Sequence, residues 1–95
     1  MTMQIQKEQT AKISPEVLFQ EVSGEIVLLD LASENYFGLD EIGARIWTLL
    51  SEGNSLGAVL DTLEQEYDVE RAVLENDVES LLEELITAGL IEFAA

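Results

Sequence analysis

EIVLLDLASENYFGLDEIGARIW, residues 25–47, decides the fold of this chain. An apolar run, Ile26 to Leu31, ends at the polar break Ser33, Glu34, Asn35. A short aromatic piece follows, Tyr36, Phe37, Gly38, Leu39. Asp40 then opens a segment whose apolar residues, Ile42, Ile46, Leu49 and Leu50, recur at helical spacing. Strand, turn, strand, helix is the economical reading. The aromatic piece is too short for the middle of a large sheet, so it reads as the last strand of a small meander and hence as an edge. An edge strand carries N–H and C=O groups that another chain can pair with.

Working outward, Val17 to Val22 is rich in strand formers, and Ser23-Gly24 offers a two-residue hairpin turn. The run after it is apolar on both faces except at Asp30, the pattern of a central strand covered by other elements, here expected to be the helices. Pro15 suits an entry position. Residues 1–14 alternate weakly and read as a flexible or frayed segment, leaving 15–95 as a single domain. Beyond the first helix, Gly53 is its stop and Ser55 caps a second, with Leu56, Val59, Leu60, Leu63 and Tyr67 on its apolar side. Asp68 is the expected cap of a third, longer helix striped by Leu74, Val78, Leu81, Leu82 and Leu85 and ended by Gly89. For the tail, residues 90–93, two readings stand: packing on the core or adding a strand. A three-stranded antiparallel sheet followed by three helices gives an α+β fold of winged helix-turn-helix type.

Composition narrows the chemistry. The chain has 95 residues, a 47% hydrophobic share, and no histidine or cysteine. That share suits a globular domain, but the core is too modest to add a deep active site. The missing residues remove the commonest general base, thiol nucleophiles, thiolate zinc sites and disulfides. Carboxylates are paired at Glu83-Glu84, Asp77 with Glu79, and Glu64 with Glu66, mostly off the apolar stripes, so they lack the burial that tunes a catalytic carboxyl. No glycine motif for phosphates and no calcium loop is present, so neither cofactor nor metal is expected. With no apolar h-region near the start and no run long enough for a membrane span, a cytoplasmic protein is expected. The net charge is −16, and since Lys7 and Lys12 against Glu8 make residues 1–14 net +1, the remainder carries −17. Nucleic acids and anionic membranes would be repelled. Solubility is the plain explanation of this charge; a partner with basic patches, met faster at low salt, is the functional one.

On the third helix Val73 and Asp77 lie i, i+4 off the main stripe, continued by Leu81 and Glu84. If the aromatic strand borders this helix, the row and the strand edge are two walls of a groove that takes an added strand. The other reading packs the row on the first helix. Tyr36 and Phe37 likewise divide between a guest surface and an ordinary strand with one face buried. Trp47 reads as core and Arg45 as a surface counter-charge.

The pattern of residues 27–47, with Asn76-Asp77-Val78-Glu79-Ser80-Leu81-Leu82-Glu83-Glu84-Leu85 and Gly89-Leu90-Ile91 downstream, resembles the PqqD-like family of leader-peptide recognition domains. The likeness spans residues 17–93 and is greatest to stand-alone members from lasso-peptide pathways. One departure is Leu81, where the family motif often carries phenylalanine. The resemblance implies a non-catalytic domain that binds the leader of a ribosomal precursor peptide as an added strand. Tyr36, Phe37, Gly38 and Leu39 would supply the edge, and Val73, Asp77, Leu81 and Glu84 the helix wall. It also implies that the peptide is handed to a transglutaminase-like cysteine peptidase that removes the leader, and to an ATP-dependent cyclase. Within the same family, a chaperone for another class of modified peptide is the alternative, and two more come from other classes. A winged-helix nucleic-acid binder would need bases on the third helix, which has only Arg71; an acidic carrier would need a serine in a D-S-L setting, whereas Asn54 precedes Ser55-Leu56.

Overall fold

The computed structural model describes residues 6–93. The order is β1 (Ala11–Ile13), β2 (Val17–Val22), β3 (Glu25–Asp30), β4 (Asn35–Leu39), α1 (Glu41–Ser51), α2 (Leu56–Glu66), α3 (Arg71–Thr87) and β5 (Ile91–Phe93). β2, β3 and β4 form an antiparallel sheet in that order, while β1 and β5 pair as a separate ribbon. This is the α+β, winged helix-turn-helix arrangement, with the two flanking strands added to it.

Turn chemistry sets the sheet register. Ser23 and Gly24 both have positive φ, 53° and 83°, which gives the two-residue hairpin whose twist suits flanking strands. Val17 therefore lies opposite Asp30, and Phe19 opposite Leu28. The β3–β4 turn is built on Asp30, which is buried. Its carboxylate accepts from Ala32 N–H and Ser33 Oγ–H, and its carbonyl accepts from Glu34 N–H at 2.7 Å. The one polar residue of the central strand thus organises the reversal leading into β4.

One sheet face carries Val17, Ile26, Leu28 and Leu39 into the core beneath the helices. Trp47 is fully buried there, its ring 5.6 Å from that of Phe19 in an edge-on contact. β3 is central and the helices cover it, as expected, but on one face only. Val27 is exposed, and so are Leu18 and Tyr36 on the same outer face, because the helices follow β4 and pack on one side only. A two-layer domain of this size has no third layer to cover the other side.

Asp40 caps α1, its carboxylate accepting from Gly43 N–H at 2.8 Å, and Gly53 (φ 87°) lies just past the helix end. Ser55 caps α2 through Ala58 N–H. Asp68 does not cap α3. Tyr67 is extended and the cap position falls on Glu70, which makes no side-chain cap bond. The later start lets Leu74, Val78, Leu82 and Leu85 turn inward together. Glycine at 89 (φ 77°) then turns the tail into β5. Ile13 pairs with Ile91, and Ala11 with Phe93. Before β1, the carbonyls of Lys7 and Gln9 accept from Gly57 and Leu56 N–H, satisfying donors of the first turn of α2. For residues 1–5 the reading as a flexible or frayed segment lies outside the described residues.

Candidate functional site

β4 pairs only with β3 among the described residues, so its other edge is unpaired. In an antiparallel ladder every second residue points its N–H and C=O away from its one neighbour. Beside that edge runs an open trough whose far wall is α3. Its first part is a cleft of about 460 Å³ lined by Gly38, Leu39, Asp40, Ile42, Gly43, Ile46, Asp77, Ser80, Leu81 and Glu84. The second part, about 660 Å³, is lined by Phe37, Ser80, Glu83, Glu84, Thr87 and Ala88. The two share Ser80 and Glu84, so they join end to end, and β4 descends α3 from the Ala88 end toward Asp77.

The local sequence builds each wall. Asp40 stops the strand and starts the helix at one residue, which swings Ile42 and Ile46 under the end of β4. A side chain at position 43 would place its Cβ 3.2 Å from the Asp40 carboxylate and 3.4 Å from Leu39 Cβ, so glycine lets strand end and helix start lie close. On α3 the buried stripe turns inward, which leaves Asp77, Ser80, Leu81 and Glu84 facing the trough one row away. The floor is apolar, from Leu39, Ile42, Ile46 and Leu81, and the α3 rim is acidic.

The proposed residues separate into three groups. Gly38, Leu39, Asp77, Leu81 and Glu84 come together in the first cleft, and Phe37 lines the second. Tyr36 lies on the outer sheet face, 72% exposed, with Leu18, Val27 and Leu29 around it. Val73 is exposed and lines neither cleft. Sequence reasoning missed Ile42, Gly43, Ile46, Ser80, Thr87 and Ala88. The α3 members were findable, since 77, 80, 84 and 87 continue the row by steps of three and four. Ile42 and Ile46 were not, because a helix start beneath a strand edge reads as plain core.

The arginines are engaged elsewhere. Arg45 holds Glu66 through two bonds of 2.9 and 2.7 Å. That bond keeps the Glu66 carboxyl below the usual range, and Glu66 in turn raises Arg45. Arg71 bonds Asp61 at 2.9 Å and reaches Glu64 and Glu75. Among the described residues no three acidic side chains gather as a metal-ligand cluster, and no helix is long and apolar enough to cross a membrane.

Residues 25–91 match the family described as coenzyme PQQ synthesis protein D (PqqD). Two solved structures share the fold. One, "TbiB1 in Complex with the TbiA(beta) Leader Peptide", is 40% identical with a TM-score of 0.83, the match covering 88% of this chain and 98% of that one. The other, "Lasso peptide synthetase B1 complexed with the leader peptide", is 32% identical with a TM-score of 0.79, covering 86% of this chain and 96% of that one. No curated protein matches.

Proposed function

The chain belongs to the PqqD family, and from that premise we propose that it is a non-catalytic adaptor that captures the leader segment of a ribosomal precursor peptide, of the lasso class, by strand addition. The observation that carries this is the unpaired edge of β4 facing α3 across an open trough. Both similar structures are complexes with a leader peptide. A guest lying along β4 gains backbone bonds, each worth a net of about 0.5–1.5 kcal/mol, which set its register. An apolar side chain lowered onto Ile42, Ile46 and Leu81 adds roughly 1.5–3 kcal/mol and sets selectivity. The adaptor then presents the remainder of the precursor to a transglutaminase-like leader peptidase and an ATP-dependent cyclase.

Nucleic acid is a poor partner for this fold here. Arg71, the one base on α3, is already held by three carboxylates, and the net charge of −16 opposes phosphate binding. Titration of ¹⁵N-labelled protein with the TbiA(beta) leader peptide tests the proposal. Amide signals of residues 36–39 shift and become protected from exchange. Saturating peptide that leaves those amides unprotected while it binds elsewhere, or no binding at high micromolar concentration, overturns it.

A further inference from the structure

We propose that the trough selects a guest strand carrying a basic side chain next to its apolar anchor, with Asp77 and Glu84 as the groups that read it. This rests on the strand-addition reading above. Of the carboxylates facing the first cleft, Asp40 is committed to capping α1. Asp77 and Glu84 are exposed and make no ion pair with any described residue. The chain has four bases to offer. Both arginines are tied to other acids, and neither lysine lines either cleft. No base of the described residues occupies this rim, which leaves both carboxylates available to a basic guest.

Spacing makes the demand specific. Positions 77 and 84 are two helical turns apart on one face, about 10.5 Å along the axis. Leu81 lies between them and forms part of the apolar floor. Groove-facing residues of an extended guest recur about every 6.7 Å. An apolar anchor over Leu81 thus places the groove-facing neighbour on either side within lysine or arginine reach of a carboxylate. The arriving strand also takes water from both carboxylates. An acidic or aliphatic neighbour leaves them desolvated and unpaired, and a basic one does not. Discrimination comes as much from rejecting the wrong guest as from attracting the right one.

A displayed library of random 15-residue peptides, panned against the full chain in about 0.3 M NaCl to shorten the reach of the overall negative field, tests this. Selected peptides that protect the amides of residues 36–39 should carry lysine or arginine two positions from an apolar residue. Changing that base to glutamate should weaken binding at least tenfold. The double variant Asp77→Asn, Glu84→Gln should erase the difference between the two peptides. The control Glu52→Gln, Asp68→Asn, with the same change of net charge but no residue in either cleft, should retain it. Peptides that protect residues 36–39 with no basic preference, or a preference surviving the Asp77/Glu84 variant, refute the inference and leave strand addition standing. Failure to obtain any peptide that protects those residues removes both.

Discussion

Leu81→Ala separates the wall of the trough from the core beneath it. Leu81 is half-buried on α3, with one side against the core and the other on the first cleft. Truncation removes three carbons, worth roughly 2.4 kcal/mol if all were fully buried, at about 0.8 kcal/mol for each. Only part of that burial exists in the free domain; a guest anchor supplies the rest. An even division charges about 1.2 kcal/mol to folding and about 1.2 kcal/mol to binding, the latter close to a sevenfold rise in Kd by the rule of about 1.4 kcal/mol per tenfold. The trough is open to solvent, so no sealed cavity adds to either figure. Anisotropy of a fluorescent TbiA(beta) leader peptide reads the affinity, and urea unfolding followed by Trp47 emission reads the stability. Leu82 is the internal comparison: it is fully buried and faces away from the trough. Leu82→Ala should cost about 2–5 kcal/mol of stability and leave the Kd of the folded fraction unchanged. If Leu81→Ala loses the whole 2.4 kcal/mol in folding and none in binding, Leu81 is core and the wall has been misassigned.

Four further outcomes follow from the same geometry. Val73→Ala should leave leader affinity within about twofold, since an exposed residue outside both clefts has no guest to touch; the anisotropy titration checks it. Asp40→Ala removes the α1 cap and should lower stability by about 0.5–2 kcal/mol in urea, and, because the same residue ends β4, amide exchange at Leu39 should quicken. Tyr36→Ser should leave stability nearly unaltered in urea, because its ring is exposed on the outer sheet face. Arg45→Met should narrow the stability margin at neutral pH only slightly, since the pair with Glu66 is exposed. The Glu66 carboxyl is depressed in the folded state, so its contribution is complete above 4.5 and is lost as the pH falls through the lower folded value. Urea midpoints of variant and parent should therefore converge in acid.

The three strands of the main sheet were legible because turn residues marked their ends, whereas β1 was not, and β5 was one of two open readings. Ser23-Gly24 and the Asp30–Asn35 reversal leave little freedom in register, and the short aromatic strand was recognisably an edge. Helices α1 and α2 were legible from their caps and stripes. The start of α3 was not. Asp68 is a good cap chemically, but the inward stripe of Leu74, Val78, Leu82 and Leu85 outweighed that local preference and moved the start by two residues. The open outer sheet face was not legible, because apolar strand residues do not say how many layers will cover them. For the site, the strand edge was visible in sequence, and three of the four residues of the α3 row line the first cleft, whereas Val73, one turn earlier, does not. Periodicity gives the angle around a helix but not which stretch of its length lies beside a strand. Val73 shares the angle of Asp77 and lies beyond the cleft.

The β1–β5 ribbon sets Ala11 against Phe93 as direct partners, which puts the start of β1 and the end of β5 about 5 Å apart. Neither strand contributes to the trough. A unit whose first and last strands are neighbours can be spliced into a surface loop of a host protein as a cassette, provided residues 7–10 are kept against the start of α2, with the peptide-accepting side left facing outward. Joined end to end by a short linker and reopened elsewhere, it should tolerate circular permutation for the same reason.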